Sequence, residues 1–342
     1  MEQKLFGNKN ILVTGATGIV GAHLCIELAK QSCNVIAVAR NEISRKRAEH
    51  VFEMYGVAET IAPYITWKYA DITQYDEVCS VVAEADYVFN CAGYVSFNNA
   101  EKKQLIDVNV TSVAHIVNAC LEYKLTKLCH VSSVSALGKP YDSVEITEDC
   151  DYNESKISSV YGYSKHLGEL EVWRGIAEGL PAVIVNPTVI IAPGFWNQSS
   201  GALFSTIARG LPFYTHGVTG YVGVNDVVKS MLDLMKSNIS GERFIVNSQN
   251  VSYKSVFTSI AQSISVPPPR YYAPYFLMLV AGFFAQMFLR TSNLSVHTAK
   301  TAHSVSKYSS QKLKDAISIR FRNIHDDIRE TGAFFCKDVN AS

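Results

Sequence analysis

The stretch Asn10-Ile11-Leu12-Val13-Thr14-Gly15-Ala16-Thr17-Gly18-Ile19-Val20-Gly21 runs a short apolar strand straight into three glycines spaced three apart. A helical pattern, Val20, Leu24 and Leu28, follows at once. Each glycine has its own physical use. Gly15 permits a tight turn, Gly18 lets the backbone approach an anion, and Gly21 lets the helix pack closely on the strand. The helix N-terminus then presents free N–H groups and a positive dipole end. A turn in this position, after a strand and before an amphipathic helix, is expected to seat the pyrophosphate of a dinucleotide, with Thr17, Ile19 and Val20 beside Gly15 and Gly18.

Outward from this turn the pattern repeats. Asn34 to Ala39, Ile65 to Ala70, Tyr87 to Asn90, Leu128 to Ser132 and Val183 to Asn186 read as buried strands. Helical spacing separates them, as at Val110, Val113, Ile116 and Val117. Short apolar strands alternating with helices predict an α/β fold with a doubly wound parallel sheet. After Pro187 glycine, proline and aromatic residues thicken. The alternation returns from Tyr221 to Asn247, with a helix around Val227 to Met235 and a strand at Arg243 to Val246. The expected organisation is therefore discontinuous. A Rossmann-type domain takes residues 1–187 and 220–249, and a smaller, mostly C-terminal substrate domain takes 188–219 and 250–342.

Composition narrows the function classes. At 342 residues the chain is long enough for about two domains. Its 48% apolar and 18% charged content excludes intrinsic disorder. Thirty-one basic residues balance thirty-one acidic ones, which gives no support to a nucleic-acid partner. Eight scattered cysteines without a CxxC predict reduced thiols and a cytoplasmic protein. Nine histidines without HxxH or HExxH spacing give a metal site no support. Met1 to Asn10 lacks the apolar core of a signal peptide. Tyr271 to Leu289 is a long apolar run broken by Pro274, Gly282 and Gln286, expected as a core or lid helix, with contact to a membrane surface as the alternative.

The second strand bears on the choice of dinucleotide. A ribose diol is usually held by an Asp or Glu at its end. Here the strand ends in Arg40, with Arg45, Lys46 and Arg47 close behind. Cations without a carboxylate favour a 2′-phosphate, hence NADP(H) over NAD(H), with Arg40 and Arg47 as the candidates. Asp71 and Ile72 follow the third strand, where they are placed to face the adenine.

Tyr and Lys four apart occur five times: Tyr64/Lys68, Tyr123/Lys127, Tyr152/Lys156, Tyr161/Lys165 and Tyr308/Lys312. The spacing alone decides nothing, because hydride-transfer chemistry needs both groups on one face of a rigid helix beside the sheet edge. Tyr161 opens a helix carrying Leu167, Leu170, Val172, Trp173 and Ile176 as its expected anchors. Twenty-eight residues earlier, Ser132 and Ser133 end the fifth strand. Ser133 is expected to reach the same oxygen as Tyr161, and Lys165 to favour the Tyr161 phenolate by its charge.

These residues together carry a family likeness. TGATGIVG, the Asn90-Cys91-Ala92-Gly93 strand end, Asn109 in DVNVTS, Ser132-Ser133 and YGYSK resemble the extended short-chain dehydrogenase/reductase superfamily, the NAD-dependent epimerase/dehydratase family. Asn186-Pro187-Thr188 and the Gly220 to Asp226 stretch fit as well. The resemblance implies that Ser133 and Tyr161 hold the reacting oxygen, that Lys165 tunes Tyr161, and that Asn109 holds a water in the proton path. It also implies that Cys91, Ala92 and Gly93 line the cofactor, that Pro187 and Thr188 approach its carboxamide, and that the protein is a homodimer.

Within the superfamily the chain is most similar to the dihydroflavonol 4-reductase-like branch, where an arginine similarly ends the second strand. Its YGYSK helix is also similar to those of thioester-reductase domains and 3β-hydroxysteroid dehydrogenases. Nucleotide-sugar epimerases resemble one another in an arginine that grips the diphosphate, and Thr219 stands roughly in its place here. Phe97, Phe195, Trp196, Phe204, Phe213, Tyr214 and Tyr221 are the expected lining of an apolar site. The reading is an NADP(H)-dependent reductase of an apolar or aromatic carbonyl compound. The alternatives are a sugar-nucleotide epimerase or dehydratase with tightly bound NAD(P), and a non-catalytic NAD(P)-sensing protein.

Overall fold

The computed structural model describes residues 6–7, 9–138, 145–150, 152, 159–198, 200–276 and 301–341. Strands β1 (Asn10–Thr14), β2 (Asn34–Ala39), β3 (Ile65–Tyr69), β4 (Tyr87–Asn90) and β5 (Lys127–Val131) come first along the chain. The short β6 (Glu145–Ile146) precedes β7 (Ala182–Pro187), β8 (Val189–Ile191) and β9 (Phe213–Tyr214). β10 (Val218–Gly223), β11 (Glu242–Val246), β12 (Gln249–Ser252), β13 (Tyr271–Tyr272) and β14 (Lys307–Tyr308) complete the described strands. Seven of them form one parallel sheet in the order β11-β7-β5-β4-β1-β2-β3. This is the doubly wound Rossmann architecture that the alternating pattern predicts.

Both faces of the sheet are covered, and successive residues divide between them. Ile11 and Val13 of β1 join a core with the helices Ile19–Lys30, Glu42–Met54 and Val224–Lys236. Leu12 between them joins a second core with the helices Tyr75–Val82, Ser112–Glu122 and Val160–Ala177. Burial on two faces is why the strands read as unbroken apolar runs rather than as an alternation. β3 departs from this expectation. It is the edge strand, its residues half-buried or exposed, and it ends one residue earlier than the run to Ala70 suggests.

The chain order reverses between β1 and β4, the topological switch point where open α/β sheets bind ligands. Beyond it stands a second layer. β10 pairs parallel with β8 and antiparallel with β12, and β9 pairs with β13. The C-terminal helix Ile324–Ala341 packs Ile328 and Phe335 into a third core with Phe204, Tyr221 and Ile260. Of the apolar run 271–289, Tyr271 and Tyr272 form β13, and residues 277–289 lie outside the described residues. No helix among the described residues is long and apolar enough to cross a membrane.

Candidate functional site

The glycine turn is built as its three separate uses require. Gly15 has φ +63°, and a Cβ there would lie 2.5 Å from Ala92 N at the end of β4. A Cβ on Gly21 would lie 2.2 Å from Gly15 O. Gly18 differs: its Cβ would meet only Gly15 O, at 3.4 Å. Gly15 and Gly21 thus hold strand, turn and helix together, while Gly18 leaves its side of the turn clear for a ligand. Gly15, Thr17, Gly18, Ile19 and Val20 all line one large cavity above the switch point.

At the end of β2, Asn41 caps the next helix by accepting a hydrogen bond from Ser44 N at 2.9 Å. That cap turns Arg40 toward the cavity, which it lines together with Arg47 one turn into the helix. Arg45 is engaged elsewhere, donating from Nε to Glu49 Oε1 at 2.9 Å. Among the described residues neither Arg40 nor Arg47 has an ion-pair partner. Asp71 and Ile72 line the same end. The Asp71 carboxylate caps its own turn, accepting from Thr73 N at 3.0 Å and Thr73 Oγ1 at 2.8 Å.

Ser133, Tyr161 and Lys165 line the same cavity, as do Cys91, Ala92, Gly93, Pro187 and Thr188. Ser159 caps the helix Val160–Ala177 by accepting from Gly162 N at 3.0 Å. The Tyr161 hydroxyl is hydrogen-bonded with Ser133. Burial raises the phenol's pKa, and this bond to Ser133 acts in the opposite direction. The Lys165 ammonium is buried and donates to Val131 O at 2.9 Å. Burial lowers its pKa to about 8, against the opposing influence of Glu169 and Cys91. With one N–H given to the Val131 carbonyl, the Lys165 ammonium keeps its other donors for the cavity that it lines with Tyr161.

The apolar residues expected to anchor this helix do so in part: Val172 is buried in the second core, Trp173 and Ile176 are half-buried and pack against it, and Leu167 is half-buried. Leu170 is exposed. Glycines and polar groups form the rest of the packed face. A Cβ on Gly162 would lie 2.8 Å from Ser135 O, one on Gly168 2.0 Å from Asn109 O, and one on Gly175 2.5 Å from Val117 Cγ1. The missing side chains let the helix backbone rest directly on its neighbours.

Asn109 lies in a π-helical turn, Asp107–Thr111, the wider turn that often marks functional positions. It does not line the cavity. Its Oδ1 accepts from Tyr94 N at 2.8 Å, and its Nδ2 donates to Tyr94 O at 2.8 Å and Ser164 Oγ at 2.9 Å. A Cβ on Gly93 would lie 3.6 Å from both Asn109 Oδ1 and Lys165 Nζ. Asn109 and Lys165 thus flank Gly93.

Two polar groupings were not anticipated from the sequence. Glu169, one turn beyond Lys165, is almost wholly buried. Its Oε2 accepts from Ser132 Oγ and Asn186 Nδ2, both at 2.8 Å, and its Oε1 accepts from Arg243 Nη1 at 2.9 Å. Asn186 Nδ2 also donates to Ser133 O at 3.1 Å. One carboxylate thereby joins the ends of β5 and β7 to β11 and the helix, directly behind Ser133. Deeper in the sheet, Thr14 Oγ1 donates to Asn90 Oδ1 at 2.8 Å, and Asn90 Nδ2 lies 3.1 Å from His130 Nδ1. Burial holds the His130 pKa well below its ordinary value, so the ring is neutral. The i, i+4, i+8 spacing of Tyr161, Lys165 and Glu169 was the one visible hint of the first grouping.

The cavity measures about 2880 Å³, well above the roughly 1,000 Å³ that one drug-sized ligand fills, so it has room for a dinucleotide and a second molecule. Phe97, Phe195, Phe213 and Tyr214 line it as expected. The Phe97 ring stands edge-on to Tyr161, centroids 5.8 Å apart. Trp196, Phe204 and Tyr221 do not line it. Phe204 and Tyr221 are fully buried core, and Trp196 packs edge-on against Phe335 while its indole donates to Asp338 at 2.6 Å. The other tyrosine–lysine pairs are separated by structure. Tyr64 lies in a 3₁₀ turn and Lys68 on β3 paired to Glu84 at 3.0 Å. Lys127 donates to Leu234 O at 2.7 Å, at the opposite end of the sheet. Lys156 lies outside the described residues, and Lys312 pairs with Glu242 at 2.5 Å.

Residues 11–246 match the NAD dependent epimerase/dehydratase family. The chain is 27% identical over 263 residues to tetraketide alpha-pyrone reductase 2 of Arabidopsis thaliana, covering 72% of this chain and 79% of the relative. It is 22% identical over 289 residues to dihydroflavonol 4-reductase of Dianthus caryophyllus, covering 79% and 77%. The fold superposes on the crystal structure of gox2253 with a TM-score of 0.80 at 22% identity, covering 97% of this chain and 99% of that one. A UDP-glucuronic acid 4-epimerase from Bacillus cereus, in complex with UDP-glucuronic acid and NAD, gives 0.76 at 16% identity, covering 96% and 99%. The chain belongs to the NAD-dependent epimerase/dehydratase family of extended short-chain dehydrogenases/reductases and is an NAD(P)-dependent enzyme of that type.

Proposed function

We propose that the protein is an NADP(H)-dependent reductase acting on the carbonyl group of an apolar or aromatic small molecule. The observation that carries this reading is the distribution of charge along the cavity. Arg40 and Arg47 stand at the cofactor end, and from Pro187 onward none of its described lining residues is charged. Thr219 lies on that uncharged wall, where a diphosphate would need a cation. The reductase names of the relatives point the same way.

The residues fit the cofactor: the turn at Gly18 is clear, and the exits of β1 and β4 are pressed together beneath it. Gly15, Thr17, Gly18, Ile19 and Val20 hold the pyrophosphate, and Arg40 with Arg47 hold the 2′-phosphate. Asp71 and Ile72 flank the adenine, Cys91, Ala92 and Gly93 the ribose side, and Pro187 with Thr188 the carboxamide. When bound, NADPH supplies a hydride to the carbonyl carbon. Tyr161 gives its proton to the carbonyl oxygen, and Ser133 donates a hydrogen bond to that oxygen. Lys165 holds the ribose and returns a proton to Tyr161 along a path that Asn109 orders.

Residues 188–219 and 250–342 form the substrate unit in this reading, and 1–187 with 220–249 the dinucleotide unit. The partner is a second copy, docked through the outer faces of helices Ser112–Glu122 and Val160–Ala177, where Leu170 is exposed. Eight free thiols suit the cytoplasm.

Fluorescence titration with NADPH and with NADH tests the reading. NADPH is expected to bind at least about tenfold more tightly, with the preference lost in Arg40→Asp, as the loss of a charge-assisted contact requires. Tighter NADH binding, or dinucleotide that co-purifies and resists exchange, would put the epimerase reading first.

A further inference from the structure

Lys and Arg total 31 in this chain, equal to Asp and Glu, yet the two signs are unevenly spread. Between Arg243 and Lys314 there are eight Lys and Arg and no Asp or Glu. Between Gly179 and Asn225 there is again no acidic residue, and Arg209 is the one cation. Arg243 and Lys312 are paired with Glu169 and Glu242, whereas among the described residues Arg209, Lys254 and Arg270 have no acidic partner.

Part of that charge surrounds an exposed aromatic surface. The two-stranded ribbon β9–β13 carries Phe213 and Tyr271, 51% and 63% exposed, and Phe276 just beyond it is 71% exposed. Tyr272 and Tyr275 are also exposed. Arg209 and Arg270 flank the ribbon in sequence, both exposed, and among the described residues neither has an acidic partner. Lys254 is exposed as well, its Nζ 4.6 Å above the Tyr214 ring. Phe213, Tyr214 and Ala273 of the same ribbon line the cavity, so this surface borders its mouth.

We propose that the β9–β13 ribbon docks the protein on an anionic phospholipid bilayer, with the cavity mouth turned toward the lipid. Tyrosine and phenylalanine at a surface suit the headgroup layer, where an apolar ring and a polar edge are both satisfied. Arg209, Lys254 and Arg270 add electrostatic attraction to a negatively charged leaflet. Single exposed apolar residues are ordinary, but Phe213 and Tyr271 side by side on the ribbon, with Tyr275 and Phe276 just beyond it and cations without acidic partners alongside, form a patch that fits a bilayer. An apolar substrate dissolved in the lipid would then reach the uncharged wall without crossing water. This last step rests on the proposed reductase reading, whereas docking itself does not.

Co-sedimentation of the full chain with vesicles tests docking without any turnover assay. The chain is expected to pellet with phosphatidylcholine vesicles containing about one third phosphatidylserine, and to be released by salt near 1 M, where the screening length is about 3 Å. Pelleting with phosphatidylcholine alone is expected to be much weaker. Replacing Arg209, Lys254 and Arg270 by Gln should weaken vesicle binding by about fivefold per charge. Tyr271→Ser with Phe276→Ser should weaken it further, while NADPH binding stays at the wild-type level as evidence of folding. Failure to pellet with anionic vesicles, equal pelleting with neutral ones, or variants that pellet like wild type would each overturn the proposal. None of these outcomes would touch the reductase reading, which the NADPH titration decides.

Discussion

The two ends of the cavity are built by opposite means. The dinucleotide end is backbone geometry: Gly15 pressed on Ala92, Gly21 on Gly15, and Gly168 on the Asn109 carbonyl. Side chains there mostly hold one another, as Asn109 holds Tyr94 and Glu169 holds Ser132, Asn186 and Arg243. The substrate end is a wall of aromatic, hydroxyl and amide side chains presented by short strands and loops. A backbone-built site tolerates almost no added atom, whereas a wall of side chains can be exchanged residue by residue. The difference teaches where specificity for cofactor and for substrate can vary independently.

Substitutions can break or sharpen that contrast. Tyr161→Phe is expected to have the largest effect, lowering kcat by about 10²- to 10⁴-fold, the usual contribution of a positioned acid. NADPH affinity measured on the same variant should stay within about twofold of wild type. Glu169→Ala removes the carboxylate shared by Arg243, Ser132 and Asn186 and leaves the half-buried Arg243 without its counter-ion, and should cost about 3 kcal/mol in urea denaturation. Gly18→Ala should fold normally, because its Cβ meets nothing closer than 3.4 Å. It should nevertheless weaken NADPH binding by about tenfold, since the methyl group occupies the space the pyrophosphate needs. If Gly18→Ala unfolds the protein, the turn serves the fold rather than the ligand.

The pH dependence carries a smaller effect with a definite sign. The Lys165 pKa is lowered to about 8, so its positive charge is complete below that value and is lost above it. An anionic cofactor is therefore held less tightly as pH rises through about 8, by about fivefold, or roughly 1 kcal/mol. Titrating wild type and Lys165→Met with NADPH from neutral to alkaline pH checks this, and the variant should lack that step. Phe213→Ser is expected to be the mildest change, within about 0.5 kcal/mol of wild-type stability because the ring is already half exposed. Its consequence belongs to substrate preference, visible in a panel of aldehydes and ketones, with NADPH affinity untouched.

The same contrast explains what could be read from the sequence. Gly15, Gly18 and Gly21, the Arg40 strand end and the Ser133–Tyr161–Lys165 set were legible because each is a local pattern with one physical reading. All of them but Gly21, which packs on the Gly15 carbonyl, line the cavity. The aromatic wall was only half legible: composition distinguishes apolar from polar, but it does not separate Phe213 at the cavity from Phe204 in the core. Glu169 and Arg243 were invisible for a different reason. A charged residue on a helix reads as solvent-facing until its partner, 74 positions away, is known. The anchoring of the helix Val160–Ala177 was legible in Val172, Trp173 and Ile176 but not in Gly162, Gly168 and Gly175, which pack through atoms they lack.

The strand order has a consequence for how the molecule comes into being. β11 is the last strand of the main sheet to emerge during synthesis, and it fills the outer place beside β7 only after the chain has gone out to make β8, β9 and β10. Until residue 243 arrives, Glu169 lacks its ion-pair partner, and the ends of β5 and β7 are clamped by part of a network. The nascent chain can therefore assemble β1 to β5 from near neighbours before the wall behind Ser133 is complete. Ordering of the reactive groups becomes a late event that reports completion of the sheet, and a chain truncated before β11 would be left with a dinucleotide cradle over an unfinished floor.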